Sequence, residues 1–201
     1  MVKRNIGIVG IQGAISEHKE ILKQVFQKND LSGNIQIVKK KEEIEKLDGL
    51  IIPGGESTTI SRFLHKNHLD EIIRGKIDNK TLSVMGTCAG CVILGKQLID
   101  KDKDDVKLLN AMDIKVKRNA FGRQKESFEQ SIKIKSFKEP FKAVFIRAPV
   151  IAETDENVEI LAETQNHIVM VKQNNMLAMS FHPELTTDTR IHEYFLKMIK
   201  K

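Results

Sequence analysis

Apolar residues in the first half of the chain follow two alternating patterns: short, nearly continuous β-branched runs, and longer stretches in which they recur every three or four positions. The runs, bounded by Gly and Pro, read as strands buried on both faces, and the periodic stretches read as helices with one apolar stripe. Residues 5–9 make the first run, with Gly10-Ile11-Gln12-Gly13 as its turn. Ser16 is the expected N-cap of a helix carrying Ile21, Leu22, Val25 and Phe26 on one stripe, and residues 35–38 return as a strand. A brief charged helix around Ile44 and Leu47 leads to strand 49–52, which Pro53-Gly54-Gly55 stops. Helical patterns follow through Ile60, Phe63 and Leu64, and again through Leu69, Ile72 and Ile73. Strand 82–85 then turns through Gly86-Thr87-Cys88-Ala89-Gly90 into a helix bearing Val92, Ile93 and Leu94.

The second half changes character. Strand-like stretches at 114–116, 131–134, 143–146, 158–162, 168–171 and 177–181 succeed one another with few helices between them, and 190–199 closes the chain as a helix. The whole pattern predicts a three-layer α/β fold with a mostly parallel central sheet flanked by helices and extra antiparallel strands in the second half. With no repeat, low-complexity tract or linker to split it, the 201-residue chain is expected to form a single domain over residues 1–201.

Composition narrows the class. At 40% hydrophobic and 30% charged residues the chain suits a packed core rather than disorder. No apolar run approaches the roughly 18 residues of a membrane span, and Met1-Val2-Lys3-Arg4 leads into a short run without a small-residue cleavage site. A soluble cytoplasmic protein is expected. The net charge of +6, from 33 Lys and Arg against 27 Asp and Glu, raises nucleic acid as a partner, but the basic residues are interleaved with acids. Lys39-Lys40-Lys41 runs into Glu42-Glu43, and three aspartates break up 101–107. Without Trp and with a single Tyr, no stacking platform for single strands accompanies the basic clusters. Neither nucleic acid nor membrane is expected as a partner.

The chemistry concentrates at three strand ends. Gly residues two positions either side of Cys88 let a strand turn sharply into a helix, the geometry of a nucleophile elbow with Cys in place of Ser. A helix N-terminus favours a thiolate, and the Ala89 N–H would point where an oxyanion forms. His182-Pro183-Glu184 supplies a base and a carboxylate to orient it, at the end of another strand where open parallel sheets bind ligands. Alternation along an extended segment would put 182 and 184 on one side. His18, His65, His68, His167 and His192 read as ordinary surface or core histidines. The Pro53-Gly54-Gly55-Glu56-Ser57 turn lets backbone N–H groups approach a substrate, yet without a following Lys it is no phosphate-binding P-loop. Cys88 and Cys91 form a C-x-x-C, but thioredoxin-like surroundings are missing and Cys91 reads as core. The zinc deaminases place H-x-E before P-C-x-x-C, the reverse of the order here, so no metal is expected.

The thiol elbow, the Gly-Gly loop and the late His-Pro-Glu resemble the class I glutamine amidotransferases. Further segments resemble more specifically the glutaminase subunits of pyridoxal 5'-phosphate synthases: Gly10-Ile11-Gln12-Gly13 with Glu17-His18, Pro53-Gly54-Gly55-Glu56-Ser57-Thr58-Thr59, and Gly86-Thr87-Cys88-Ala89-Gly90. In the second half they are Arg118-Asn119-Ala120-Phe121-Gly122-Arg123-Gln124 with Ser127-Phe128-Glu129, Phe145-Ile146-Arg147-Ala148-Pro149, and Ser180-Phe181-His182-Pro183-Glu184-Leu185-Thr186. The resemblance covers essentially the whole chain and implies the flavodoxin-like fold of that family. It implies Cys88 as nucleophile, His182 as base and acid, and Glu184 as the orienting carboxylate. It implies an oxyanion site at Gly54, Gly55 and Ala89, and glutamine binding by Gly55, Glu56, Ser57, Arg118, Ile146 and Arg147. Either arginine could fork onto the substrate's α-carboxylate, and Glu56 could receive its α-ammonium.

The resemblance further implies no cofactor, and a separate (β/α)₈-barrel synthase subunit that consumes the ammonia in a hetero-oligomeric complex, with Gln12 near the contact. Cys91 departs from the aliphatic residue usual in the family, and 100–105 looks like a variable acidic loop; neither touches the triad. Two alternatives stay open: a glutaminase subunit serving another ammonia-using synthase, and a binding module, thiol peptidase or redox protein built on the same elbow.

Overall fold

The computed structural model describes residues 3–99, 106–118, 120 and 127–199; the acidic stretch 100–105 and the motif residues Asn119, Phe121, Gly122, Arg123 and Gln124 lie outside them. The first strand, β1 (Lys3–Val9), leads into α1 (Ile15–Lys28), and β2 (Ser32–Val38) runs back beside β1 in parallel register. A four-residue helix, α2 (Lys41–Ile44), precedes β3 (Gly49–Ile52), which pairs in parallel with the other side of β1. Helices α3 (Ser57–Lys66) and α4 (Leu69–Asp78) then lead to β4 (Ser83–Thr87), parallel to β3, and to α5 (Ala89–Leu94).

The second half supplies β5 (Gly95–Leu98), β6 (Met112–Lys117), the hairpin β7 (Ser127–Ile132) and β8 (Phe141–Ile146), then β9 (Val150–Thr154), β10 (Glu159–Thr164), β11 (His167–Gln173) and β12 (Met176–Met179). Helix α6 (Arg190–Met198) closes the chain. The central sheet runs β2-β1-β3-β4-β12-β11-β9-β6-β5, with β10 paired to β11 off this path, and β7-β8 forms a separate two-stranded sheet. The block β2-β1-β3-β4-β12 is parallel, whereas β11 runs antiparallel to β12, β9 and β10, and β6 antiparallel to β9. The expected α/β architecture, with its antiparallel additions in the second half, is therefore present.

Two-residue periodicity divides the core between the two faces of the parallel block. Leu50, Ile52, Val84 and Ala178 pack toward Ile60, Leu64 and Ile73 of α3 and α4. Ile51, Met85, Leu177 and Met179 pack the other way, toward Leu22 and Val25 of α1, Phe195 of α6 and the hairpin. With both faces covered by apolar layers, these strands read as unbroken hydrophobic runs.

Several local readings need correction. Helix α1 starts at Ile15 with Ala14 at its N-cap and no side-chain cap; Ser16 lies inside the first turn, where its hydroxyl donates to Glu17 Oε2 at 2.9 Å. The chain enters this helix straight from the Gly10–Gly13 turn, through the Ile15 N–H donating to Gly13 O, so no extended residue remains to act as a cap. The helix near Ile44 stops there, and the last parallel strand ends at Met179 instead of residue 181. The hairpin strand expected at 131–134 spans Ser127–Ile132, and β5 and β9 were not expected at all.

An aromatic cluster carries the hairpin onto the sheet. Phe181, fully buried, lies 5.9 Å from Phe141 and 5.6 Å from Phe145 between ring centroids, and Phe145 stacks on Phe128 at 4.7 Å. Phe181→Ala is predicted to lower the unfolding free energy by about 3–5 kcal/mol, the cost of emptying a buried aromatic site; urea denaturation monitored by circular dichroism measures it.

Candidate active site

Four segments meet at the C-terminal edge of the parallel block, each leaving the end of a strand. Gly10–Gly13 follows β1, Pro53–Gly55 follows β3, Cys88 follows β4 and His182 comes shortly after β12. They border a cleft of about 530 Å³ whose walls include Cys88, His182 and Ala89. Gln12, Gly54, Gly55, Glu56, Ser57, Arg118, Ile146 and Arg147 also line it. Every residue to which the resemblance assigns a catalytic, oxyanion, substrate or contact role borders this cleft except Glu184, which is buried behind His182.

Cys88 sits at φ 49°, ψ −103°, a backbone conformation that side-chain-bearing residues rarely adopt. Its N–H donates to Met179 O at 2.8 Å and its carbonyl accepts from Val92 N at 3.2 Å, so neighbouring strand and following helix both hold the turn. The flanking glycines are sterically required: a Cβ on Gly90 would lie 2.0 Å from the Ile52 carbonyl oxygen, and one on Gly86 2.6 Å from the Gly90 backbone. The sulfur lies 3.9 Å from Ile146 O. Helix α5 has only six residues, and the charged side chain that exchanges a hydrogen bond with the sulfur is His182.

His182 is fixed from both ends. Its backbone N–H donates to Val144 O of β8 at 2.8 Å, and its Nδ1–H donates to Glu184 Oε1 at 2.7 Å. The two side chains meet for a reason other than the expected extended alternation. Residues Pro183–Leu185 form a 3₁₀ turn that opens at His182 with Pro183 in its first position, which folds the carboxylate back under the imidazole. A Cβ on Gly54 would lie 2.3 Å from His182 Cε1 and 3.3 Å from Cys88 Cβ. Only glycine lets the loop after β3 approach both side chains.

Electrostatics follow from this packing. Burial alone would lower the His182 pKa, but hydrogen bonds and charge from Cys88 and Glu184 outweigh it and raise it to about 10. Burial pushes the Glu184 carboxyl up, yet His18 and His182 together hold it below the usual carboxylate range. Cys91, fully enclosed one turn beyond Cys88, has its thiol pushed well above the ordinary range by burial and then by the charge of Cys88. Both cysteines are free thiols.

Glu56 also has a structural task that its place in the motif did not disclose. It is the N-cap of α3, accepting from Thr59 N at 3.0 Å and from the hydroxyls of Thr58 and Thr59. His18 and His192 are core histidines, but their position was not foreseen. His18 Nε2 lies 3.5 Å from Glu184 Oε2, and its Nδ1 lies 3.0 Å from His192 Nε2. One signal was present: His18 stands three, four and seven positions before Ile21, Leu22 and Val25, so it continues the buried stripe of α1.

Burial pushes His192 well below the ordinary imidazole value of 6.5, and pushes His18 below it against the opposing pull of Glu184. Below about pH 6.5 the unfolded chain therefore takes up protons that the folded chain refuses, and stability falls with pH. Unfolding free energy is predicted to decline on acidification from about pH 6.5, and His192→Leu to flatten that decline; denaturant melts across a pH series measure both.

The chain also resembles known proteins. A model of the SNO glutamine amidotransferase family matches residues 8–201. The pyridoxal 5'-phosphate synthase subunit PdxT of Thermosipho africanus is 48% identical over 196 residues, covering 98% of this chain and 99% of its own. The subunit of the same name from Pyrococcus horikoshii is 46% identical over 195 residues, covering 96% and 98%. A crystal structure of a glutamine amidotransferase superposes with a TM-score of 0.88 at 40% identity, covering 96% of this chain and 98% of that one. A glutamine amidotransferase from Thermotoga maritima, 13% identical with a TM-score of 0.58, shares the fold alone.

Proposed function

Because the chain belongs to the SNO glutamine amidotransferase family, we propose that it is the glutaminase subunit of a pyridoxal 5'-phosphate synthase, a single catalytic domain over residues 1–201. It hydrolyses L-glutamine to L-glutamate and ammonia and hands the ammonia to a separate synthase subunit. The observation that carries this reading is the meeting of Cys88, on its strained turn, with His182 in one cleft, His182 being held from behind by the buried Glu184.

In the reaction, Cys88 sulfur attacks the γ-carboxamide carbon of glutamine as a thiolate, forming a carbon–sulfur bond and a tetrahedral oxyanion. N–H groups of Ala89 and of the Gly54-Gly55 loop receive that oxygen. The His182 imidazolium, supported by its raised pKa, gives its proton to the departing nitrogen, and the carbon–nitrogen bond breaks to release ammonia. The imidazole, now neutral, takes a proton from water as that water attacks the γ-glutamyl thioester. Glutamate leaves, and the thiolate and imidazolium are restored. Glu184 keeps the imidazole oriented through its Nδ1–H throughout. Substrate is held by Gly55, Glu56, Ser57 and Ile146, with Arg118 or Arg147 on its α-carboxylate and Glu56 facing its α-ammonium.

The partner is a synthase subunit with a (β/α)₈ barrel, docking at the cleft mouth near Gln12 in the cytoplasm. Exposed apolar side chains at this mouth support the site: Ile146 and Leu185 border the cleft, and exposed Ile11 adjoins Gln12. Among the described residues no helix is long and apolar enough to cross a membrane.

Cys88→Ala is predicted to abolish glutamate release while Cys91→Ala preserves it, because Cys91 is enclosed in the core. Losing one oxyanion donor would cost about 2.7–4 kcal/mol in the barrier. Adding the synthase subunit should raise glutamine hydrolysis and yield pyridoxal 5'-phosphate with glutamine as the nitrogen source. The opposite cysteine pattern, or product formation only with a different synthase, overturns the assignment.

A further inference from the structure

Behind the His182–Glu184 pair the structure holds a second, fully enclosed polar chain that the reaction above does not use. Glu184 Oε1 is engaged by His182, whereas Glu184 Oε2 is buried without a hydrogen-bond partner among the described residues. The nearest cationic or donor side chain given for that oxygen is His18, with Nε2 at 3.5 Å and both side chains wholly inaccessible. The same Nε2 lies 3.3 Å from Thr87 Oγ1. On the far side, His18 Nδ1 lies 3.0 Å from Nε2 of fully buried His192, whose own Nδ1 has no partner among the described residues.

These contacts decide where the protons sit. Suppose His18 carried its proton on Nδ1. Its Nε2 lone pair would then face the Glu184 carboxylate, and His192, accepting on Nε2, would bury an unpaired Nδ1–H donor. Both arrangements are unfavourable, since buried N–H groups are rarely left orphaned. In the alternative, His18 carries its proton on Nε2 and points it at Thr87, 3.3 Å away, and toward Glu184 Oε2 at 3.5 Å. His192 Nε2–H then donates to His18 Nδ1, and what His192 leaves without a partner among the described residues is a bare lone pair on Nδ1. Burial disfavours the protonated form of both rings, in keeping with this arrangement. The charged or titratable groups acting on His18 are Glu184, His182, His192 and, from its own helix, Glu17.

We propose that His18 is a positioning residue for glutamine hydrolysis: its Nε2–H anchors the free oxygen of Glu184, which fixes the carboxylate that orients His182, and His192 locks His18 in the tautomer able to do this. The proposal rests on the reading of Cys88, His182 and Glu184 as the catalytic triad. His18 and His192 lie outside the cleft wall, so they act through Glu184 and not on glutamine.

The test uses the full-length chain assembled with its synthase subunit, following glutamate release, with thermal melts to count folded protein. His18→Leu is expected to lower kcat roughly 10- to 100-fold, the scale of one lost hydrogen bond to a charged group, with KM for glutamine nearly unchanged. His18→Gln, whose amide N–H reaches the place of Nε2, is expected to recover most of the loss. His192→Leu should lower kcat several-fold in the wild-type background but have no effect in the His18→Gln background, because an amide needs no tautomer lock. That dependence of one substitution on the other is what a packing role would not produce.

If His18→Leu fails to fold, His18→Gln and the His192→Leu pair of backgrounds still decide the matter. Wild-type kcat in folded His18→Leu, or an equal effect of His192→Leu in both backgrounds, overturns the proposal. A Cys88→Ala chain that still releases glutamate overturns the triad reading beneath it, a different result from either of these.

Discussion

A carboxylate placed where water cannot reach it sets the terms for the rest of the site. Glu184 is 4% exposed, and removing such a charge from water costs several kcal/mol unless its oxygens are engaged. Its compensation comes from residues far apart in sequence: His182 two positions away on the same turn, and His18 from the first helix. Each needs its own scaffold. His182 is pinned to β8 through Val144, His18 rides the buried face of α1, and His192 reaches in from α6. Only with the sheet, the hairpin and both helices in place does the ionised carboxylate become tolerable.

The cleft itself arises from the direction of the parallel strands. Because β1, β3, β4 and β12 run the same way, the segments after them emerge at one edge, and the side chains they carry converge without long loops. Convergence at this density forces backbone into close contact, which is why the turn after β3 must be glycine at position 54 and the turn after β4 must be flanked by Gly86 and Gly90. The left-handed conformation of Cys88 is the strain that this geometry imposes. It is held by the Met179 hydrogen bond on one side and the first turn of α5 on the other.

What the sequence revealed, and what it concealed, follows the same physics. Strands buried on both faces, such as Gly49–Ile52, appear as short continuous apolar runs, and the Pro and Gly residues closing them, which the buried helix run Ala89–Leu94 shares only in part, mark the edge that borders the cleft. Gly95-Lys96-Gln97-Leu98 is an edge strand with a half-buried Lys and an exposed Gln in its middle, so it carries too little apolar signal to be seen. Val150–Thr154 has only its first two residues buried, and its pairing partners β6 and β11 are distant in sequence. The cap at Ser16 was misplaced because residue preference cannot tell that the helix is entered directly from a tight turn. Cys88, His182 and Glu184, which the structure brings together, were legible from their company in motifs. His18 was not, although its place on the apolar stripe of α1 marked it as buried, because a lone histidine does not disclose which charge it meets.

Stability does not explain why three histidines and a glutamate occupy this interior. Buried ion pairs and polar chains are commonly no more stabilising than apolar side chains of the same volume, and a chain with one carboxylate oxygen met only by a 3.5 Å contact and one ring nitrogen without a partner among the described residues is less so. The surrounding layer, with Phe181, Phe195 and Ile191 all fully buried, shows that this part of the fold accommodates large apolar residues readily. A polar array kept in such surroundings is best accounted for by what it orients. One end of the array opens on the cleft at His182, and the other closes on a lone pair, His192 Nδ1, that has no partner among the described residues. A chain of donors ending that way has a direction, from His192 through His18 to the carboxylate, and that direction leaves Glu184 Oε1 free to hold the imidazole beside Cys88.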